Sequence, residues 1–442
     1  MDAREVALLT LTSCERQGAW SDGALKKAIH DGNLDTRDAA LATRLCYGVL
    51  QNRMLLDFYI AAYSTVKLER MESKVLGALR LGVYQLLFME KIPVSAAVNE
   101  SVRLTNSYCK SPKAAGLVNA ILRTVSRNAE NLPKPESADK FETLSIKYSH
   151  PVWLVKAFCD ALGEDGGEAL LAADNEIPAI VAQVNTVKTT TEDVFQSLTD
   201  SGAQVAPHPY LPDCLLFSAA GDLENQPMFQ SGGLYIQDAA ARMAVLAADL
   251  QPGQRVMDAC AAPGGKSFAA AIAMDNQGSV VSGDIHPHKI TLMERGAERL
   301  GLTCIIPMLL DAKKNRPDWQ KCFDTVLADV PCSGLGIIRK KPDIRYKDPK
   351  PLENLPEVQQ AILDNVSTYV KPGGVLVYST CTLLRRENEE VVQAFLAWHP
   401  EFKLEAFTLP GTIGTVKEGM ITLWPHIHGT DGFFVAKLRR VL

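Results

Sequence analysis

No uninterrupted apolar run in the 442-residue sequence approaches the ~18 residues that a membrane-spanning helix needs. The opening MDAREVALLT also lacks the basic-then-apolar layout of a secretory signal, so a cytoplasmic protein is expected. Ten cysteines are present but scattered, and the closest two, Cys322 and Cys332, stand ten positions apart. The C-x-x-C spacing of a structural zinc site is therefore missing, and no metal is expected. In a reducing compartment these thiols stay free, most of them as small buried hydrophobes. No heptad pattern or exposed apolar helix argues for a dimer, so a monomer is expected.

What the chain does contain is ordinary globular material, 47% hydrophobic and 22% charged, long enough for several domains with full cores. The net charge of −5 is unevenly spread: residues 1 to 140 carry 19 Lys and Arg against 15 Asp and Glu, and the remainder 27 against 36. Residues 101 to 129 hold five basic residues and no acidic one, a helical surface attractive to phosphates.

Up to about residue 130 the apolar residues recur at three- and four-residue spacing, as in AALATRLCYGVLQNRMLLDFYIAAY, KVLGALRLGVYQLLFM, VSAAVNESVRLTNSY and AAGLVNAILRTVSRN. This predicts an all-α bundle. The Pro- and charge-rich NLPKPESADK, 131 to 140, reads as a linker. PVWLVKAFCDALG and GGEALLAADNEI then read as two helices, followed by strands AIVAQVNT and CLLFSA flanking the helix TEDVFQSLTDSG. The domains expected are an all-α unit over 1–140, a small α+β unit over 145–235 and a catalytic domain over 236–442. In the last of these, the strands RVMDAC, SVVSGDI, CIIPMLL, DTVLADV and GVLVYSTC alternate with amphipathic segments. That alternation specifies a mostly parallel α/β sheet with ligands at the carboxyl ends of its strands. Asp258, Asp284 and Asp329 stand at such ends, and Asp311 follows IIPMLL directly.

DACAAPGGKS joins a strand end, a Pro-Gly-Gly turn and a helix. Gly264 and Gly265 let the backbone pass close to a ligand. A phosphate loop fails because its first glycine is replaced by Cys260, and a G-x-G-x-x-G dinucleotide turn fails on spacing. What remains is a glycine turn followed, twenty residues after Gly264, by Asp284 at the next strand end. A carboxylate there accepts ribose hydroxyls. With no pyrophosphate cradle, the expected cofactor is S-adenosylmethionine, Asp311 meeting the adenine amino group and Lys266 steadying the turn or the aspartate of the next loop.

Two loops at the same sheet edge each carry a thiol, Cys332 in ADVPCSGLG and Cys381 in VYSTCTLLRRENEE, and Asp329 stands three residues before Cys332. Cytosine C5 is too electron-poor to attack a methyl donor until a thiolate adds to C6. The adduct needs help at N3, for which Asp329 is available, and a second thiol serves to remove the C5 proton. These residues alone do not say which cysteine attacks. Arg339, Lys340, Lys341, Arg345 and Lys347 follow Cys332 closely, as a positive field to ionise a thiol or a grip on an RNA backbone. His286 and His288, an H-x-H pair without a third ligand, are read as surface residues. A non-catalytic RNA-binding assembly factor and a nicotinamide-dependent oxidoreductase are rival readings, and neither accounts for both thiols.

DACAAPGGKS, DIHPHK, DTVLADVPCSGLGIIRKKPDIRY, GGVLVYSTCTLLRRENEEVV and DGFFVAKL together resemble, in order and spacing, the motifs of the RNA 5-methylcytosine methyltransferases. LRLGVYQLLFMEKIPVSAAVNESV and GLVNAILR give the N-terminal residues the look of a NusB-type RNA-binding domain. The combination is similar to the bacterial Sun/RsmB type, which implies methylation of a cytosine in 16S ribosomal RNA, with transfer RNA as the alternative target. The resemblance further implies that Cys381 is the nucleophile and Cys332 assists product release. It places Cys260, Ala261, Ala262, Pro263, Gly264, Gly265, Lys266, Asp284, Asp311 and Asp329 against S-adenosylmethionine.

Overall fold

The computed structural model describes residues 1–17, 20–218 and 223–441. The chain separates into two compact units: Met1–Ile177 with Ile338–Lys347, and Pro178–Ile337 with Asp348–Leu442.

The first unit is helical throughout: α1 (Ala3–Gln17), α2 (Ser21–Gly32), α3 (Thr36–Gln51), α4 (Arg53–Tyr63), α5 (Ser73–Phe88), α6 (Val94–Tyr108), α7 (Ala114–Arg127), α8 (Lys140–Tyr148) and α9 (Val152–Ala173). The single helical run expected over 39 to 63 is broken at Asn52 into α3 and α4. Helix α9 contains a break at Gly163, where φ is +74°, a value only glycine adopts without strain. Two helical pieces result, as the sequence predicts. Helix α5 forms the centre of the bundle, with every residue from Val75 to Gln85 buried. Each large apolar side chain sealed there contributes about 1.5–3 kcal/mol. Its one charged member, Arg80, donates to Asp57 at 2.7 Å and to Glu15 at 3.1 Å, so the buried cation is paired.

The basic stretch over 101 to 129 is less uniform than its composition suggests. Arg103 is neutralised by Glu5, Glu100 and Asp2. Arg123 and Arg127 are exposed, and among the described residues their guanidiniums donate to neutral acceptors, Asn119 Oδ1, the Arg123 carbonyl and Thr124 Oγ1.

A correction concerns Arg345. The sequence groups it with basic residues facing a thiol or RNA, but its side chain is wholly buried within the helical unit. Its Nη1 lies 2.8 Å from Asn175 Oδ1 and 3.2 Å from the carbonyls of Gln51 and Tyr148, and Nη2 lies 3.2 Å from the Asp174 carbonyl. A ring of carbonyl oxygens has replaced water around it, leaving it no role at a thiol or a phosphate. The neighbouring His150 is also fully buried, and burial followed by the charge of Arg345 drives its pKa well below the usual imidazole value.

The second unit opens with a small antiparallel sheet of β1 (Ile180–Val184), β2 (Val205–Pro207), β3 (Cys214–Phe217) and β4 (Leu234–Ile236), in the order β2-β3-β1-β4. It packs on α10 (Thr191–Asp200), through Val194 and Leu198 against Ala182, Val184 and Leu215. Ala219, the last residue of the strand expected from CLLFSA, lies outside the described residues.

The large sheet contains β5 (Arg255–Asp258), β6 (Ser279–Asp284), β7 (Ile305–Leu309), β8 (Phe323–Asp329), β9 (Val370–Thr380), β10 (Phe402–Leu404), β13 (Met420–Leu423) and β14 (Phe433–Arg440), with a separate hairpin of β11 (Phe407–Leu409) and β12 (Gly414–Val416). Its order is β10-β14-β9-β8-β5-β6-β7, with β13 paired to β14. The five strands β5 to β9 are parallel neighbours. They are rich in apolar residues, as the sequence predicts, and mostly buried except at the edge strand β7, where Ile306 and Leu309 are exposed. The antiparallel partners of β14 on β9 and β13 are not foreseen. Strand order reverses between β5 and β8, and at such a switch point the carboxyl ends open a crevice.

Candidate active site

The crevice is walled by what leaves β5, β6, β8 and β9. After Asp258 the chain turns through residues 259 to 264, closed by the Gly264 amide donating to the Ala261 carbonyl at 2.7 Å and pinned to β6 by the Ala261 amide donating to Gly283 at 2.8 Å. Gly264 has φ +113°, and a Cβ there would meet the Phe268 ring at 2.6 Å, so the turn admits no side chain at that position. Helix α13 (Gly265–Ala273) starts immediately after it.

The turn's polar groups are committed inward. Asp258 is fully buried and accepts a hydrogen bond from Ser267 Oγ at 2.8 Å, and Ser267 in turn accepts from Ser282 Oγ at 2.7 Å. Among the described residues Asp258 Oδ1 has no hydrogen-bond partner. Burial, only partly offset by Ser267 and Lys266, pushes this carboxyl up to about 7. Cys260 is half-buried, and burial together with Asp258, Asp329 and Asp284 raises its thiol far above the usual range, so it stays protonated.

Asp284, at the end of β6, accepts from the His286 amide at 2.9 Å and has Lys289 Nζ at 3.5 Å. Asp311 follows β7 by two residues and accepts from the Lys313 amide at 3.1 Å. His286 and His288 lie beside each other, ring centroids 5.6 Å apart. Among the described residues no cluster of His, Cys, Asp and Glu stands where it could hold a metal ion.

Lys266 does not fold back on its own turn. Its Nζ donates to Asp329 Oδ2 at 2.7 Å, and Ser379 Oγ donates to Asp329 Oδ1 at 2.8 Å. Burial alone would lower the lysine pKa, but the adjoining Asp329 outweighs it and the net shift is upward. The ammonium also stands 5.1 Å from the centroid of the Phe433 ring.

The two thiols meet. Cys332 Sγ and Cys381 Sγ are 3.3 Å apart, because β8 and β9 pair in parallel with Asp329 opposite Ser379 and each cysteine follows its strand end closely. Further bonds tie the two loops. The Gly336 amide donates to the Cys381 carbonyl at 2.9 Å, the Gly432 amide donates to the Gly336 carbonyl at 2.8 Å, and Ser333 Oγ lies 2.6 Å from Thr382 Oγ1. A Cβ on Gly336 would fall 1.9 Å from the Gly432 carbonyl oxygen, so glycine is required there. The hydrogen bond with Cys381, followed by burial, raises the Cys332 thiol well above the ordinary value. Cys332 therefore carries its proton at neutral pH, with its sulfur within hydrogen-bonding distance of the Cys381 sulfur.

Residues singled out from the sequence thus stand at or just beyond the carboxyl ends of the parallel strands of the second unit, except the basic run after Cys332, whose segment 338–347 belongs to the helical unit. Sequence reasoning missed Ser379, Ser267, Gln359 and Glu387. Ser379 was accessible from strand alternation, since residues two apart share a face and Ser379 stands two before Cys381.

Three family models match consecutive parts of the chain: the NusB family over residues 1–127, the ferredoxin-like domain of RsmF/B-like methyltransferases over 150–224, and the 16S rRNA methyltransferase RsmB/F over 245–439. The chain is 37% identical over 445 residues to a probable ribosomal RNA small subunit methyltransferase B of Bacillus subtilis, covering 99% of this chain and 98% of that protein. Identity is 32% to the ribosomal RNA small subunit methyltransferase B of Pseudomonas putida, with 92% of each chain covered. The crystal structure of PH0851 superimposes with a TM-score of 0.80 at 27% identity over 99% of both chains. The structure of NSun6 from Pyrococcus horikoshii with SFG shares the fold over 66% of this chain and 98% of its own, with a TM-score of 0.59 at 23% identity. By sequence over its full length and by the order of its parts, this chain belongs to the RsmB/F family of 16S rRNA methyltransferases that carry an N-terminal NusB domain.

Proposed function

We propose that the protein transfers a methyl group from S-adenosylmethionine to C5 of a cytosine in 16S ribosomal RNA, through a covalent bond between Cys381 and C6. The observation that carries this reading is the 3.3 Å contact between the two sulfurs at the mouths of adjacent parallel strands. A pyrimidine presented there meets both at once.

The donor set at the strand ends fits the nucleoside part of the cofactor. Asp284 would accept the ribose hydroxyls, Asp311 the adenine amino group, and residues Cys260 to Gly265 would lay their backbone along it, with Cys260 protonated and therefore uncharged. Bound there, the cofactor supplies an electrophilic methyl on a sulfonium.

Cys381 adds to C6 as a thiolate and forms the S–C6 bond, which moves electron density onto C5 and N3. Asp329 meets the N3 side, but as half of an ion pair. With its oxygens accepting from Lys266 and Ser379, the proton this pair can share with N3 belongs to the ammonium. Once C5 carries the methyl group, Cys332 gives its own proton to solvent and, as a thiolate, takes the C5 proton. The C6–S bond breaks, and Cys381 leaves as a thiolate. We further propose that an all-α domain of residues 1–140 and a small α+β domain of residues 145–235 bring RNA to a catalytic domain of residues 236–442, and that the protein works as a cytoplasmic monomer. No helix among the described residues is long and apolar enough to cross a membrane.

Two variants separate the thiol roles. Cys381→Ala is expected to lose turnover and form no adduct, whereas Cys332→Ala is expected to hold RNA as a denaturation-resistant species on a gel. The reverse pattern exchanges the assignments, and no adduct from either variant removes the covalent route.

A further inference from the structure

Cys332 is bracketed. On its C-terminal side, the Ser333 amide donates to Glu387 Oε2 at 2.9 Å; on its N-terminal side, the Pro331 carbonyl accepts from Gln359 Nε2 at 3.0 Å. The bracket closes on itself, because the same Gln359 Nε2 donates to the same Glu387 Oε2 at 2.9 Å. Gln359 sits on α15 (Leu355–Ser367) and Glu387 on the short turn of helix Arg385–Glu387 that follows Cys381. Both side chains are completely buried.

Burying a carboxylate is costly unless hydrogen bonds compensate for the lost water. Among the described residues the Glu387 carboxylate accepts from the Ser333 amide and Gln359 Nε2, both at Oε2, while its Oε1 and Gln359 Oε1 have no partner. A hydrophobic residue would fill the same space without that cost, so a reason to keep the carboxylate lies in what Oε2 holds. Its own backbone is fixed as well: the Tyr378 hydroxyl, on β9, donates to the Glu387 carbonyl at 2.6 Å.

We infer that Glu387 and Gln359 are positioning residues for Cys332: they clamp the peptide groups on either side of it and so set its sulfur against that of Cys381. The catalytic part of this inference rests on the proposed role of Cys332 in product release. The geometric part does not. Neither residue reaches the pyrimidine's side of the thiols through any bond described, so loss of the bracket spares the first methyl transfer and slows the release that needs Cys332 in place.

The geometry is read with dibromobimane, which becomes fluorescent when it bridges two neighbouring thiols, using full-length protein and Cys332→Ala as the blank. Glu387→Ala is expected to slow bridging about tenfold, and Gln359→Met, which keeps the volume but removes the donor, to slow it less. Catalysis is read on transcribed 16S rRNA with S-adenosylmethionine. Both variants should complete a first methyl transfer at near wild-type rate, lose about 10- to 100-fold in steady-state turnover, and accumulate the adduct seen with Cys332→Ala. Glu387→Gln retains an acceptor oxygen and is expected to restore both readouts.

Bridging at the wild-type rate in both Glu387→Ala and Gln359→Met overturns the inference, and Gln359→Met carries the test if the alanine variant does not fold. Failure of Glu387→Gln to rescue also overturns it, since charge and not the clamp would then be acting. If bridging slows but Cys332→Ala itself traps no RNA, the clamp stands and the proposed release step falls.

Discussion

Lys266 Nζ stands 2.7 Å from Asp329 Oδ2, although the two residues follow different strands, β5 and β8. The pair joins the helix that follows the Pro-Gly-Gly turn to the strand end that leads into the loop carrying Cys332. Both side chains are largely withdrawn from water, 14% and 27% exposed, so removing one partner strands the other. Lys266→Met is expected to cost about 2–3 kcal/mol of stability in denaturant titration. It should also lower single-turnover methyl transfer by about 100-fold or more. A rate near wild type would remove Lys266 from the chemistry at N3.

Asp258 gives the second unit a pH dependence of known sign. Its folded-state pKa, about 7, is above the ordinary aspartate value of about 3.9, so the folded protein holds the proton more tightly than the unfolded chain. The associated stability is complete below about pH 4 and is lost as pH rises through about 7, a difference on the order of 4 kcal/mol. Asp258→Asn, titrated with denaturant from pH 5 to 8, should show a flatter decline than the parent. An unchanged slope would falsify the assignment to this carboxyl.

Arg345 predicts a stability effect within the helical unit. Arg345→Met leaves several carbonyls without their donor inside the core, at about 1–3 kcal/mol for each group left unsatisfied. A fall in stability of roughly 3 kcal/mol or more is expected, with protease cleavage appearing between 338 and 347. Binding of S-adenosylmethionine measured by calorimetry should persist, because Asp284, Asp311 and the Pro-Gly-Gly turn lie in the other unit.

On the proposed mechanism the target cytosine has to leave its stack to reach two sulfurs at once, which costs a few kcal/mol and least where the RNA is loosely folded. Free or partly assembled ribosomal RNA is therefore expected to be methylated faster than finished small subunits, by filter-binding assay with labelled methyl donor. Equal rates on both would count against an extruded base.

Much of the candidate site was legible because its geometry is local to strand ends. A parallel sheet puts Asp284, Asp329 and Cys381 on one edge once the strands are recognised, and the proximity of Cys332 to Cys381 follows from adjacency of β8 and β9. The bracket around Cys332 was not legible: Glu387 and Gln359 lie 55 and 27 positions from Cys332, and nothing in the periodicity of α15 marks one polar residue as buried. Composition misled at Arg345, where a run of cations reads as a solvated patch but one member points into a shell of carbonyls. The antiparallel pairing of β14 also escaped, since FFVAKL fits either direction of pairing equally well.

The ten residues Ile338–Lys347 fold with the helices although the chain on both sides of them belongs to the catalytic sheet. A truncated chain beginning near residue 178 would thus keep every residue of the candidate site yet carry a stranded insert, its guanidinium and apolar residues stripped of their lodging. Excision of the N-terminal half is consequently not a neutral operation on the C-terminal half, and a minimal catalytic fragment calls for redesign of that insert as well as a new start site.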